Sequence, residues 1–314
     1  MNKTKKPTNI DFAKIQKKIT DFAVKNKKTV LLATAGLFLL AAVCALSASI
    51  GASRAEKRER QAQLEREAEQ KAAEEAKLQA VREVASRLSP RAQSAIKIDN
   101  LDSFINDVLA AAQFYRSSVR DGVSLLYLCD KKHFLPDGYA PSDLVQLTSG
   151  ATYSVGRAGI YLRRDAAVAL DTMAVAAIKD GVKLAVNSAY RSYEYQKTVF
   201  NRWVQIDGEK EAERESSRPG TSQHQLGTAV DFGSIDETFF YTKECKWLYE
   251  HAAEYGWSLS FPDGYEDATG YKWECWHFRY IGIPACRFQK KYFSDIQQFM
   301  LEFLDEWIKI HGAN

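Results

Sequence analysis

The globular part of this sequence lacks a basic patch, although the 314-residue chain carries a formal net charge of +3. Nine lysines and only two acidic residues fall within residues 1–28, so the surplus of positive charge belongs to the N-terminus. Nucleic-acid binding by the globular part is therefore not supported, because such binding needs a basic face or stripe. The remaining composition, 46% hydrophobic and 26% charged, is ordinary for one or two globular domains.

Residues 29–53 lack any charged side chain. As a helix this segment would be about 37 Å long, which exceeds the roughly 30 Å hydrocarbon core of a bilayer. Its length and the lysines before it argue against a buried core helix. The lysines of residues 1–28 predict a cytoplasmic N-terminus, although four basic residues within 54–60 weaken the charge asymmetry. We therefore expect a single-pass transmembrane anchor, with the rest of the chain outside the cytoplasm.

Two other interpretations of this segment are weaker. A cleaved signal peptide would find small residues for cleavage within 45–52, but the long basic start and the long apolar stretch favour an uncleaved anchor. A lipid-modified Cys44 is disfavoured because Val43 precedes it, where a small residue is expected.

Cysteine is scarce, with five in the chain. Four lie beyond the predicted anchor: Cys129, Cys245, Cys275 and Cys286. An oxidising compartment would permit disulfides, but the spacing does not choose among the three full pairings, and buried free thiols are an equal alternative. No catalytic role is assigned to any of them.

Residues 54–88 lack glycine and proline and consist mainly of Glu, Arg, Lys, Gln and Ala, which predicts one long helix. Leu78, Val81, Ala85 and Leu88 follow coiled-coil spacing, but the earlier turns offer mostly alanine. A solvated helical stalk over residues 54–94 is therefore favoured. A weak homodimer through this stalk is the lesser alternative.

Residues 95–314 show the alternation of helix and strand patterns that is typical of an α+β domain. Helices are predicted over 95–118, 163–179, 194–204 and 245–255, and strands over 182–186, 229–232 and 276–280. Helices flanking a small antiparallel sheet follow from this order. The stretch 288–310 is strongly amphipathic and is expected to pack against the domain.

Two motifs in this domain carry chemistry. The first is Ser222-Gln-His224-Gln-Leu-Gly-Thr-Ala-Val-Asp231, and the second is Glu274-Cys-Trp-His277-Phe-Arg-Tyr. Two imidazoles and one carboxylate bind Zn²⁺ with a fourth position open for water, which is the stoichiometry of a catalytic site. A structural site would more often have four ligands that include cysteine. A site containing Cys275 stays open as the less favoured alternative.

These motifs resemble those of the VanY-like D-alanyl-D-alanine carboxypeptidases, members of the wider lysostaphin, D-Ala-D-Ala peptidase and hedgehog-like zinc fold. Further matching segments begin at Leu135, Ser188, Arg218, Trp247 and Thr269. The resemblance covers roughly residues 120–285. Any one of these segments alone would be weak evidence. Together, in the family's order, they argue strongly against chance agreement.

The resemblance implies a role for eight residues. The implied zinc ligands are His224, Asp231 and His277. Glu274 would be the general base, and Arg191 would face the scissile carbonyl or the substrate carboxylate. The implied residues of the pocket for the terminal D-residue are Gln196, Ser222 and Trp276.

This sequence departs from the family's usual pattern at two positions, where Gln223 replaces Glu and Cys275 replaces Pro. In a regular strand Glu274 and His277 would point to opposite faces, so the backbone must bend between them for both to reach one metal. Proline would enforce such a bend, whereas Cys275 only permits it.

The implied function is that of a zinc-dependent carboxypeptidase that removes the terminal D-alanine of peptidoglycan stem peptides, outside the bacterial cytoplasmic membrane. Cleavage of an L,D-bond in tetrapeptide stems is the second choice. A catalytically silent cell-wall-binding or scaffold protein is the alternative from another class. The presence of Glu274 beside all three ligands argues against it, because a binding protein needs no base.

Overall fold

The computed structural model describes residues 11–312. The chain divides into two compact units, one ending at Glu75 and the other beginning at Ala76. Helix α1 spans Phe12–Lys25, and the Asp11 side chain caps it by accepting the Lys14 N–H. Helix α2 spans Lys27–Ala85 without a break between its apolar and charged parts.

Helix α2 contains the apolar segment that the sequence singled out. Among residues 11–312, α2 is the one helix long and apolar enough to cross a membrane, with a mean hydropathy of 2.4 over its most apolar window. The helix predicted over 54–88 is present over 54–85 as the second half of α2, which ends three residues earlier than expected.

Within the described residues, the unit beginning at Ala76 holds ten further α-helices, two 3₁₀ turns and seven strands. The helices are α3 (Pro90–Ala95), α4 (Leu101–Ser117), α5 (Arg164–Lys179), α6 (Tyr193–Asp207), α7 (Glu209–Glu215), α8 (Gln223–Leu226), α9 (Lys243–His251), α10 (Glu266–Thr269), α11 (Ile283–Tyr292) and α12 (Gln297–His311). The strands are β1 (Leu144–Gln146), β2 (Tyr153–Val155), β3 (Tyr161–Arg163), β4 (Leu184–Ser188), β5 (Ala229–Phe232), β6 (Trp257–Leu259) and β7 (His277–Tyr280). Two 3₁₀ turns cover Glu237–Tyr241 and Ala252–Tyr255.

A five-stranded sheet with the order β2-β4-β5-β7-β6 forms the centre of this unit, and β1 and β3 pair separately. The pairs β4–β5, β5–β7 and β6–β7 are antiparallel, whereas β2 and β4 are parallel. The prediction of an α+β fold is confirmed. The sheet is mixed rather than purely antiparallel, because the edge strand β2 was not recognised in the sequence and joins β4 in the parallel direction.

Two apolar clusters support the sheet. Helix α5 packs one cluster through its buried face, which includes Leu170, Met173 and Ala177, against Val230 and Phe278 of the sheet. The second cluster joins α4, α11 and α12 around Phe104, whose ring lies 4.8 Å from that of Tyr292 and 5.4 Å from that of Phe303.

The stretch 288–310 packs against the domain as expected, but it forms parts of two helices rather than one amphipathic run. Ser294 and Asp295 have φ values of 53° and 62°, which a continuing helix does not allow. The Gln289 amide stabilises the break by donating to the carbonyl and the carboxylate of Asp295 at 3.0 and 2.9 Å.

The compact unit also includes residues upstream of residue 95. Val81, Val84, Leu88 and Ala92 are buried in the cluster around Phe104. A domain boundary at residue 95 would therefore remove part of that cluster.

Candidate active site

The centre of the sheet brings His224, Asp231 and His277 together. Asp231 on β5 lies directly opposite His277 on β7, and α8 supplies His224 beside them. The Ser222 hydroxyl caps α8 by accepting the His224 N–H at 3.2 Å. Each of the three residues is at most 3% exposed, and each offers one ligand atom within 4.8 Å of the others. Two imidazoles and one carboxylate thus converge on one point.

His224 presents Nε2 to this point. Its Nδ1–H donates to the Ala189 carbonyl at 2.7 Å, which leaves the lone pair on Nε2, 3.2 Å from Asp231 Oδ2. Burial, with the nearby Arg191 charge, lowers the pKa of His224 to about 4. The imidazole is therefore neutral near pH 7, as a metal ligand must be.

Whereas His224 presents Nε2 to this point, His277 presents Nδ1. Its Nδ1 lies 3.2 Å from Asp231 Oδ1 and 3.2 Å from Glu274 Oε2. Burial alone lowers the pKa of His277, but hydrogen bonds to Asp231 and Glu274 reverse this effect and raise it to about 9. Burial alone likewise raises the pKa of Asp231, yet its neighbours His224, His277 and Arg191 hold it well below its ordinary value.

Glu274 reaches the same point because the chain bends before β7. The His277 N–H donates to the Glu274 carbonyl at 3.2 Å, which closes a turn with Cys275 and Trp276 at its centre. Cys275 is the second residue of this turn, a position where proline is favoured. The required bend therefore forms without a proline. Burial raises the pKa of the Glu274 carboxyl.

Arg191 follows β4 and directs its guanidinium at two of the three candidate ligands. Nη2 donates to Asp231 Oδ2 at 2.8 Å and to His224 Nε2 at 3.0 Å. Nε donates to Ser188 Oγ at 3.2 Å, and Nη1 to Gln196 Oε1 at 3.3 Å. Four contacts therefore hold the fork in place.

The three residues expected in the substrate pocket occupy different positions. Ser222 and Trp276 line the cavity in front of the His-Asp-His group, whereas Gln196 is fully buried and is not among its lining residues. The Gln196 amide donates to the Ser217 carbonyl at 2.8 Å, and its oxygen accepts from Arg191. Gln196 thus positions Arg191 from behind.

The cavity has a volume of about 1050 Å³ and is open to solvent. His224, Asp231, His277, Glu274 and Arg191 all line it. Its outer walls carry aromatic and charged side chains, among them Tyr195, Trp203, Trp273, Arg157, Glu237 and Asp263. Such a cavity has room for a peptide several residues long.

All five cysteines are free thiols. The Cys245 thiol donates to the Cys275 carbonyl at 3.7 Å, and the Cys275 thiol points to the Asp236 carbonyl at 3.8 Å. Within residues 11–312, the group of side chains that could hold a metal is His224, Asp231 and His277, with no cysteine in it.

The sequence did not assign a role to Gln223, Ser188 or Ala189, although all three lie in the matched segments. Gln223 stood out only as a departure from the family pattern. A side-chain signal could have marked both polar residues, since Gln223 lies between two assigned residues and Ser188 begins the segment that contains Arg191. The Ala189 carbonyl carries no such signal, because its identity as a partner depends on backbone position alone.

Comparison with known proteins places these residues in a family. The family model for "VanY: D-alanyl-D-alanine carboxypeptidase" matches residues 159–283. The putative carboxypeptidase YodJ of Bacillus subtilis (strain 168) is 38% identical over 176 residues, which cover 54% of this chain and 64% of YodJ. A D-alanyl-D-alanine carboxypeptidase of Enterococcus faecium is 28% identical over 190 residues, covering 59% of this chain and 58% of that protein.

The solved structure of the LdcB LD-carboxypeptidase is similar to this chain with a TM-score of 0.50 and 33% identity, covering 60% of this chain and 92% of that one. The chain spans less than two thirds of the length of the two curated relatives. The matched region contains His224, Asp231, His277, Glu274 and Arg191. Residues 159–283 form a domain of the VanY-like family of D-alanyl-D-alanine carboxypeptidases.

Proposed function

We propose that this protein is a zinc-dependent D-alanyl-D-alanine carboxypeptidase that hydrolyses the terminal D-alanine of peptidoglycan stem peptides. One observation carries the proposal. The buried His224, Asp231 and His277 open onto the same cavity as a carboxylate, Glu274, and a guanidinium, Arg191. Peptide hydrolysis requires an activated water, a stabilised oxyanion and a proton for the leaving amine, and this set can provide all three.

The donor set fits zinc. Two imidazole nitrogens and one carboxylate are the ligand types found in catalytic zinc sites that keep an open position. The Arg191 cation donates to both Asp231 Oδ2 and His224 Nε2, so the lone pairs of these atoms converge on positive charge. A bound zinc ion would act as a Lewis acid and lower the pKa of water.

Glu274 is the proposed general base. Its carboxylate lines the cavity beside His277, where it can accept a proton from the attacking water and return it to the leaving amine. Arg191 is the proposed contact for the substrate, because its planar fork can bind a carboxylate or a developing oxyanion through two N–H groups. Ser222 and Trp276 would line the pocket for the terminal residue.

The apolar part of α2, residues 29–53, is the proposed anchor in the cytoplasmic membrane. The lysines of residues 1–28 support an N-terminus inside the cell and a catalytic unit on the extracytoplasmic side, where the wall peptides are. The charged part of α2 would serve as a solvated stalk. A homodimer through the stalk is the weaker proposal, since mainly alanine occupies its seam.

Specificity for an L,D-bond is a second candidate, which the similarity to the LdcB LD-carboxypeptidase favours. Mass spectrometry after incubation of the zinc-loaded protein with defined muropeptides separates the two. A D,D-enzyme should convert pentapeptide stems to tetrapeptides and leave tetrapeptides unchanged, whereas an L,D-enzyme should shorten tetrapeptides. Binding of both stems without any product would refute the enzymatic proposal.

Glu274→Gln is the matched control for this experiment. Because the three candidate ligands are untouched, the variant should keep its metal and lose about 10²- to 10⁴-fold in turnover. His224→Ala should lose the metal itself. Full turnover in Glu274→Gln would place the base elsewhere.

A further inference from the structure

The side chain of Gln223 contacts the edge of the His277 ring that points away from the His-Asp-His centre. Gln223 is 6% exposed, and its Oε1 accepts the Nε2–H of His277 at 3.2 Å. The opposite ring nitrogen, Nδ1, is the atom that faces Asp231 and Glu274. The two nitrogens of His277 therefore meet two separate partners.

This contact settles which nitrogen of His277 carries a proton when the ring is neutral. An amide oxygen can only accept a hydrogen bond, so it holds a proton on Nε2 and leaves the Nδ1 lone pair directed at the centre. His224 shows the complementary arrangement, since the Ala189 carbonyl holds its Nδ1–H and frees Nε2. The two rings are thus oriented by two neutral oxygens.

Gln223 is itself held in this orientation. The Ser260 hydroxyl donates to Gln223 Oε1 at 2.7 Å and lies 3.3 Å from Gln297 Oε1. The Gln297 amide in turn donates to the Ser258 carbonyl at 3.2 Å. This buried chain of hydrogen bonds connects His277 to Gln297 at the start of α12.

We propose that Gln223 is a positioning residue for the metal, which acts by holding His277 with Nδ1 free and aimed at the ion. The inference rests on the proposed zinc site. Hydrogen-bond partners of ligating histidines typically change metal affinity by about 10- to 100-fold. The loss should fall within this range rather than abolish zinc binding, because other side chains also hold the His277 ring. The ring centroids of Phe261 and His224 lie 4.7 and 4.8 Å from that of His277.

The chain offers a matched control in Gln225. It lies on the same short helix α8, is 2% exposed, and uses its side chain to hold the Gly220 N–H at 2.8 Å and the Tyr139 carbonyl at 3.3 Å. No candidate metal ligand is among these partners. Gln225→Leu therefore removes a buried amide of equal size without touching His277.

The test measures the zinc dissociation constant of the full-length protein in detergent, by competition with a chromophoric chelator. Gln223→Leu should bind zinc about 10- to 100-fold more weakly than the native protein. Gln223→Glu, which retains an acceptor oxygen, should bind at least as tightly as the native protein. Gln225→Leu should leave the dissociation constant within about 3-fold. Gln223→Met replaces Gln223→Leu if circular dichroism shows that the leucine variant does not fold.

Native affinity in Gln223→Leu or Gln223→Met would overturn the proposal, as would an equal loss in Gln225→Leu. Failure of Gln223→Glu to restore tight binding would also contradict it. These outcomes are distinct from failure of the proposed function. A native protein that binds zinc tightly but cleaves no stem peptide would refute the carboxypeptidase and leave the role of Gln223 intact, whereas absence of zinc binding would overturn both.

Discussion

Glu244 should make the unit that begins at Ala76, the proposed catalytic unit, less stable as the pH rises through neutrality. The residue lies in the first turn of α9, and its Oε1 accepts the Ala185 N–H of β4 at 2.6 Å. Burial raises the pKa of its carboxyl to about 7, despite that hydrogen bond. The folded unit therefore binds a proton at Glu244 more tightly than the unfolded chain, whose ordinary value is 4.5.

The direction of the pH dependence follows because the pKa of Glu244 is higher in the folded unit than in the unfolded chain. The stabilising contribution is fully present below pH 4.5 and is lost as the pH rises through about 7. At about 1.4 kcal/mol for each pKa unit, the gap corresponds to roughly 3 kcal/mol between the two limits. Glu244→Gln keeps an oxygen for the Ala185 N–H but cannot ionise. The variant should therefore gain roughly 2 to 3 kcal/mol over the native protein between pH 5 and pH 8.

Urea unfolding followed by tryptophan fluorescence measures this difference. All six tryptophans lie between residues 203 and 307, so the full-length protein in detergent reports on the catalytic unit alone. Taking the variant minus native difference at each pH cancels the contributions of the other titrating groups. Glu250→Gln, an exposed position on the same helix, is the control and should give a constant difference. A difference for Glu244→Gln that does not change with pH would refute the reasoning.

Three further results are expected. Arg191→Lys should lower kcat/KM for stem peptides about 10²-fold or more with little change in the unfolding midpoint, because one ammonium cannot reproduce the fork; near-native kinetics would contradict the role. A fragment that begins at residue 95 should unfold with roughly 5 kcal/mol less free energy than one that begins at Ala76, since it lacks the buried Val81, Val84 and Leu88. Protease added to intact spheroplasts should digest the catalytic unit and spare residues 1–28, and protection of that unit would reverse the proposed orientation.

The sequence predicted the elements of this fold best where apolar spacing was long and regular. Helix α5 begins and ends within one residue of its prediction, and β5 matches fully. The edge strand β2 escaped notice because its three residues, Tyr153–Val155, are too short for alternation to be visible. The break at Ser294 and Asp295 was missed for another reason: neither residue is a glycine, so nothing in the sequence marks the positive φ values.

The candidate ligands were predictable because the two motifs contain the His and Asp residues themselves. The side chains that support them are brought together only by tertiary structure. Gln196 was expected in the substrate pocket, yet it lies behind Arg191. Only the packing of α6 against the segment that includes Ser217 decides that its amide faces inward. The partner of His277 Nε2 likewise becomes visible only when α8 and β7 are placed side by side.

The register of β5 and β7 links the stability of the unit to its chemistry. Asp231 lies opposite His277 on one side and Ser188 on the other. Val230, which precedes Asp231 on β5, lies opposite Phe278, and both belong to the apolar cluster that includes the buried face of α5. Because side chains alternate across a sheet, a slip of one residue would bury the two candidate ligands in that cluster and expose Val230 and Phe278 instead. The apolar core therefore enforces the alignment that brings the carboxylate and the imidazole together. Burial of one face of the sheet therefore fixes which side chains the other face presents to the site.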